Sequence, residues 1–129
     1  MTALSPATNL TGRTLIAAIF LISGIGKIAG YSGTAAYMES VGVPGALLLP
    51  TIVLEIGGAL AIIAGWRTKP VALALAAFTL LAGILFHGNF ADPMQQIMFL
   101  KNVAIAGGFL FLAANGAGAW SLDARRARA

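Results

Sequence analysis

Residues 45–86 read GALLLPTIVLEIGGALAIIAGWRTKPVALALAAFTLLAGILF, two apolar stretches held apart by only Arg67, Thr68 and Lys69. The first, Gly45 to Trp66, is 22 residues long with one charge, Glu55, near its middle; the second, Pro70 to Phe86, carries none. A helix rises about 1.5 Å per residue, so about 20 residues cross the roughly 30 Å hydrocarbon layer of a bilayer. A three-residue connection between two such helices forces an antiparallel hairpin. Transmembrane strands alternate apolar and polar residues over about ten positions, whereas these runs are continuous and about twice that length, so the chain is read as helical.

Two further apolar runs flank the hairpin. Arg13 to Tyr31 covers about 28 Å. Its basic start resembles a secretory signal peptide, but no good cleavage site follows and it is read as a first span. Met94 to Asn115 supplies the fourth, with Lys101 and Asn102 near its start. The expected fold class is all-α membrane, a four-transmembrane-helix bundle with spans at about 13–31, 45–66, 70–86 and 94–115. Residues 1–12 are then an N-terminal segment and 116–129 a basic tail. Composition points the same way: of 129 residues 59% are hydrophobic and 9% charged, against roughly a quarter charged in soluble domains. Without cysteine there is no disulfide, thiolate metal site or iron–sulfur cluster. The net charge of +4 does not indicate nucleic acid, because a basic excess on one side is what membrane topology requires.

Four spans bring both termini to one side. Arg13, Arg67, Lys69, Arg125, Arg126 and Arg128, six of the eight basic residues, lie there, so the N and C termini are expected to be cytoplasmic. Trp66 and Trp120 mark the same boundary and Tyr31 and Tyr37 the opposite one. The tail ARRARA is expected to be solvated or to rest on anionic lipid. Between the first two spans, Thr34 to Val41 is either a short interfacial helix, with Tyr37 and Met38 toward lipid or protein and Glu39 toward water, or a plain loop. HGNFADP (87–93) reads as a loop, with His87, Asn89 and Asp92 capping the third helix. Small residues four apart, Gly57/Ala61/Gly65, Gly26/Gly30 and Ala104/Gly108, predict close helix packing.

A charge near the bilayer centre costs about 2.5–3.5 kcal/mol on insertion scales. Glu55 and Lys101 are therefore expected to face inward, with Glu55 paired to Lys101 or to Lys27. Two readings stand: a structural ion pair, or a polar pocket open to the outer leaflet whose groups bind a ligand or carry protons. His87 is the sole histidine, which rules out a two-histidine haem or metal site within one chain. There is no HExxH, GxSxG, nucleotide fingerprint or carboxylate cluster. No metal or covalently held cofactor is expected, and electrons would have to come from a lipid-soluble carrier or a partner subunit.

The motifs RTLIAAIFLISGIGKIAGY (13–31), TAAYMESVGVP (34–44), LEIGGALAIIAGW (54–66), LLAGILFH (80–87), FLKNVAIAGGFLFL (99–112) and WSLD (120–123) together resemble the DoxX family of small bacterial membrane proteins. The likeness runs over about Arg13 to Asp123. It implies a multi-pass protein of the bacterial inner (cytoplasmic) membrane, related to subunits of quinone-linked sulfur oxidation and to membrane complexes that answer redox stress. It places the family's polar positions on Lys27, Glu39, Glu55, His87, Lys101 and Asn102. The resulting expectation is a quinone-interacting or membrane-anchoring subunit of a redox-related complex, an enzyme at most as part of a quinone-linked oxidoreductase. Lys27, Lys101, Asn102 and Glu39 would bind the ligand, Glu55 and His87 would transfer protons, and Phe86, Phe90 and Phe99 would pack its ring. The implied partners are the lipid bilayer, protein subunits or further copies of the chain, and quinone. The alternatives are a purely structural accessory subunit and a small-solute transporter, the latter weakened by a third span read as wholly apolar.

Overall fold

The computed structural model describes residues 4–128. Its helices are α1 (Leu4–Ala29), α2 (Tyr31–Ser40), α3 (Leu48–Ala64), α4 (Thr68–Phe86), α5 (Pro93–Asn115) and α6 (Leu122–Arg128), with no strand among the described residues. A single 3-10 turn, Gly45–Leu47, runs into α3. Pro50 lies in the first turn of α3, where its missing N–H leaves no hydrogen bond unmade. Four helical stretches, Ser5–Ala29, Gly45–Ala64, Thr68–Phe86 and Pro93–Asn115, are long and apolar enough to cross a membrane. Their outward faces carry large apolar side chains, with Phe111 75% exposed. Lipid is the solvent that makes such a surface stable.

One glycine meets the neighbouring helix at each interface of the bundle, with helices close together at the first three and only the tip of Ile16 reaching across from α1 to α5. Gly24 on α1 meets Ile56 and Glu55 of α3; Gly58 on α3 meets Leu75 of α4; Gly83 on α4 meets Asn102 and Phe99 of α5; Gly108 on α5 meets Ile16 of α1. This closes a ring in the order α1, α3, α4, α5. The small-residue spacing identified the principle but chose neighbouring positions. Gly26 and Gly57 face open space, and Gly65 lies beyond the last residue of α3 with φ +70°. Of those sets, Ala61, Gly108 and Gly65 do face protein, Gly65 meeting the C-terminal segment and Arg13 instead of a neighbouring span.

The half of the bundle nearest the termini is built around the main apolar core. Ala17, Phe20, Ala59, Ile62, Ala72, Leu75, Ala106 and Phe109 form one buried cluster, with Phe20 edge-on to both Phe78 and Phe109. The opposite end is covered by α2, which takes up the helical one of the two readings for this segment. Met38 packs with Leu48 and Ile52, and the Tyr37 ring stacks on Phe86 at 5.8 Å. Glu39 is exposed, as the sequence reading has it.

The terminal end is tied together by two charges of unexpected function. Arg13, read as a topological charge, is buried, and its guanidinium donates to Asn9 Oδ1, to the carbonyls of Ile62 and Ile63 at the end of α3, and to the carbonyl of Trp120. Asp123 accepts hydrogen bonds from the backbone N–H groups of Arg67 (2.8 Å) and Thr68 (2.9 Å) at the start of α4. It thereby fixes Arg67 in a left-handed conformation, φ +47°, that a non-glycine residue seldom adopts. The segment before α6 is packed as well: Ala117 and Ser121 are buried, and Ser121 Oγ caps α6 by accepting from Ala124 N–H. Arg125 and Arg126 are exposed to solvent or lipid, as are Trp120 and Leu122.

Burial pushes the Asp123 carboxyl up, but hydrogen bonds from Thr68 and Arg67 together with the nearby Arg126 charge outweigh it and hold the group below its ordinary value. The stabilisation is thus complete above the unfolded value of about 3.9 and is lost as pH falls through the lower folded value. Asp123→Asn is expected to cost about 1 kcal/mol near neutral pH, the usual worth of a helix cap. Melting curves of the detergent-solubilised protein should show that the gap between wild type and variant narrows below about pH 4. A gap independent of pH from 3 to 7 would show that the charge of Asp123 contributes nothing.

Candidate functional site

Between the packed half and α2 lies a cavity of about 510 Å³. Phe20 and Phe78 form its floor, Met38, Val43 and Phe86 line it under α2, and leucines from α3 and α4 complete its walls. Into this apolar volume project a few polar groups. Ser23, Lys27 and Glu55 stand on the α1–α3 wall and Thr79 and Asn102 on the α4–α5 wall. A mostly apolar cavity with a few convergent polar groups is the usual form of a small-molecule site.

The position of each group follows from helix geometry. Ser23 and Lys27 are four residues apart and share one face of α1; Lys27 Nζ donates to Ser23 Oγ at 2.6 Å and lies 2.8 Å from Glu55 Oε1. Glu55 is 3% exposed and is drawn against α1 where Gly24 removes the obstructing side chain. The contact is close as an ion pair but lacks the alignment of a hydrogen bond at Oε1. Opposite charges in proximity hold it, and acceptor capacity remains on the carboxylate. On the other wall, Asn102 Nδ2 donates to the Thr79 carbonyl at 3.1 Å. The Thr79 hydroxyl is buried with no hydrogen-bond partner.

Of the two partners considered for Glu55, the structure selects Lys27. Lys101 is exposed and does not line the cavity. Its expected inward pairing is therefore corrected, for a simple reason: successive helical residues point about 100° apart, and Asn102 takes the inward direction. Glu39 also stands outside the cavity, its carboxylate over Gly45 at the start of the 3-10 turn. His87 does line the cavity, at its α2 end, with Nδ1 2.9 Å from Gln95 Oε1. Its backbone N–H closes α4 on Gly83. Asp92, expected over the same helix, caps α5 instead by accepting from Met94 N–H. Phe86 contributes to the lining, whereas Phe90 and Phe99 pack on each other away from it.

Thr79 is the group the sequence reading missed, since it treated this span as wholly apolar. No signal marked it: a lone threonine in an apolar helix ordinarily bonds back to its own turn.

A family model described as DoxX matches residues 8–88, which include Lys27, Glu39, Glu55 and His87 but stop short of Lys101 and Asn102. Over 114 residues the chain is 52% identical to "Inner membrane protein YqjF" of Escherichia coli strain K12, with 88% of each chain covered. Over 128 residues it is 38% identical to "Inner membrane protein YphA" of the same organism, with 93% of this chain and 91% of the relative covered. No solved structure matches it.

Proposed function

The chain belongs to the DoxX family and is a multi-pass inner membrane protein, and from that premise we propose that it is a quinone-interacting subunit of a redox-related membrane complex. The observation that carries this reading is the buried, unpartnered Thr79 hydroxyl in a mostly apolar cavity that also holds the Lys27–Glu55 pair. A buried hydroxyl without a partner is costly, and a ligand oxygen would satisfy it. A flat ring with an oxygen on each of two edges suits the donors available: Lys27 on the α1–α3 wall, Thr79 and Asn102 on the other.

When bound, a quinone supplies two-electron, two-proton redox chemistry, with electrons provided by a partner subunit. The residues of this chain would do three things. Lys27 would stabilise negative charge on a ligand oxygen, which in a site shielded from water is worth more than in bulk. Glu55, already beside that cation, would hold or release a proton there. His87, at the α2 end of the cavity, would relay protons to the aqueous boundary.

The test is a titration of the purified protein in nanodiscs with quinone. Thr79→Val is expected to weaken binding about tenfold while leaving the ligand-free protein as stable or more so, because it removes an unsatisfied buried hydroxyl without changing volume. Lys101→Met should leave affinity unchanged, since that side chain lies outside the cavity. Absence of quinone binding by the wild type, or equal affinity in Thr79→Val, would sink the reading in favour of a purely structural subunit.

A further inference from the structure

We infer that the cavity receives its ligand sideways from the bilayer, through a portal between α3 and α4, and that this ligand is a membrane-dissolved amphiphile whose apolar tail remains in that portal. The inference rests on the cavity being the ligand site, as proposed above, and adds its route and the chemistry of the second half of the ligand.

Toward the termini the cavity is closed by packing: Ala17, Ile62, Leu75 and Phe109 are fully buried beneath the aromatic floor. At the other end, α2 is seated through Met38 on Leu48 and Ile52, while Tyr37, stacked on Phe86, lines the cavity and is itself 51% exposed, so the opening begins at the edge of α2. It continues along the flank between α3 and α4. These helices are joined at Gly65–Thr68 and touch closely where Gly58 faces Leu75; beyond that point, toward α2, each turns a leucine-bearing stripe to the cavity. Leu47, closing the 3-10 turn, and Pro50 and Leu54 on α3 recur at helical spacing, as do Leu81 and Leu85 on α4.

Leu47, Leu81 and Leu85 both line the cavity and are 49%, 55% and 43% exposed. A side chain that borders the interior and the outside at once marks an opening. Since it lies within helical stretches that span the membrane, it opens onto lipid. The α1 side is a poorer passage: Ile19 is exposed and borders the cavity there, but so does the partly exposed Lys27, and a hydrocarbon chain laid across that ammonium would strip its remaining solvation.

The portal also determines what the tail does. Hydrocarbon gains little by moving from lipid to an apolar protein groove, so affinity comes from the polar groups around the head. The tail needs only an unobstructed exit. Filling the portal should therefore discriminate by tail and not by head.

The experiment uses the full chain in nanodiscs and two benzoquinones with the same ring, one without a tail and one with an isoprenoid tail. In Leu81→Trp and Leu47→Trp, binding of the tailed compound is expected to fall about tenfold or more while the tail-less compound keeps its affinity within about threefold. Ile22→Trp, on the exposed face of α1 and outside the cavity, should keep both. Retention of tail-less binding also shows that the variants are folded. Unchanged binding of the tailed compound in both portal variants, or an equal loss in Ile22→Trp, overturns the portal and leaves the cavity as a quinone site. Failure of the wild type to bind the tail-less ring removes the quinone reading, and the portal inference with it.

Discussion

Arg13→Ala is expected to lower the stability of the bundle by roughly 3–5 kcal/mol, the size associated with dismantling a buried, fully hydrogen-bonded charged group. The guanidinium is 2% exposed and serves three separate pieces of chain: Asn9 within its own helix, the Ile62 and Ile63 carbonyls that end α3, and the Trp120 carbonyl that leads into α6. The last carbonyls of a helix have no partner within it and carry the negative end of its dipole, so a cation there both satisfies and neutralises them. Alanine leaves those oxygens without donors and opens the volume the side chain fills. Lysine is a poor substitute, because one ammonium cannot reproduce a planar fork aimed at several acceptors. Unfolding of purified protein followed by helicity in mixed detergent should place Arg13→Lys much nearer to Arg13→Ala than to wild type. A neutral Arg13→Lys would mean that only the charge matters and that the residue acts through topology.

The same site shows why glycine ends α3. A Cβ on Gly65 would stand 2.4 Å from Ser121 Cβ and 2.8 Å from Arg13 Nη1, in a residue whose φ of +70° already disfavours a side chain. Gly65 lets the C-terminal segment lie against the hairpin, and Asp123 then reaches the start of α4.

What the sequence made legible, and what it hid, separate along physical lines. The four spans could be found because membrane crossing is a property of length and apolarity alone, and both are written in the chain. The hairpin followed from having three residues to turn in. Rotation about the helix axis is different, because a helix apolar on all sides does not state which face meets protein. The chain therefore disclosed that charges lay within the spans but not that Lys101 points away while its neighbour Asn102 points in, nor that Gly58 and not Gly57 meets α4. Arg13 and Asp123 were hidden for another reason. Placed beside apolar runs they satisfy the positive-inside pattern and a charged tail, and only the folded chain brings residues 13, 62 and 120 together. One local sign was available: Ser121 followed by LDARRAR has the form of a capped helix, which the reading of 116–129 as a basic tail passed over.

The Lys27–Glu55 pair separates the two readings of the cavity, and its members should respond unequally. Lys27→Met strands a carboxylate that is 3% exposed, and a loss of roughly 3–5 kcal/mol is expected. Glu55→Leu strands an ammonium that is 26% exposed on a flexible stem; it can turn toward the boundary, so the loss should be clearly smaller. The double variant Lys27→Met/Glu55→Leu leaves no charge and fills the space with apolar atoms. Buried pairs replaced in this way are often neutral or stabilised, so it should recover most of the stability that Lys27→Met loses. That recovery allows binding to be read without the confounding effect of a damaged fold. If the pair is the polar end of a ligand site, the double variant should be stable and yet bind quinone at least about tenfold more weakly, as expected when a charged hydrogen-bonding partner is removed from a ligand oxygen. If the double variant is stable and binds as wild type does, the pair only joins α1 to α3 and any ligand chemistry lies elsewhere.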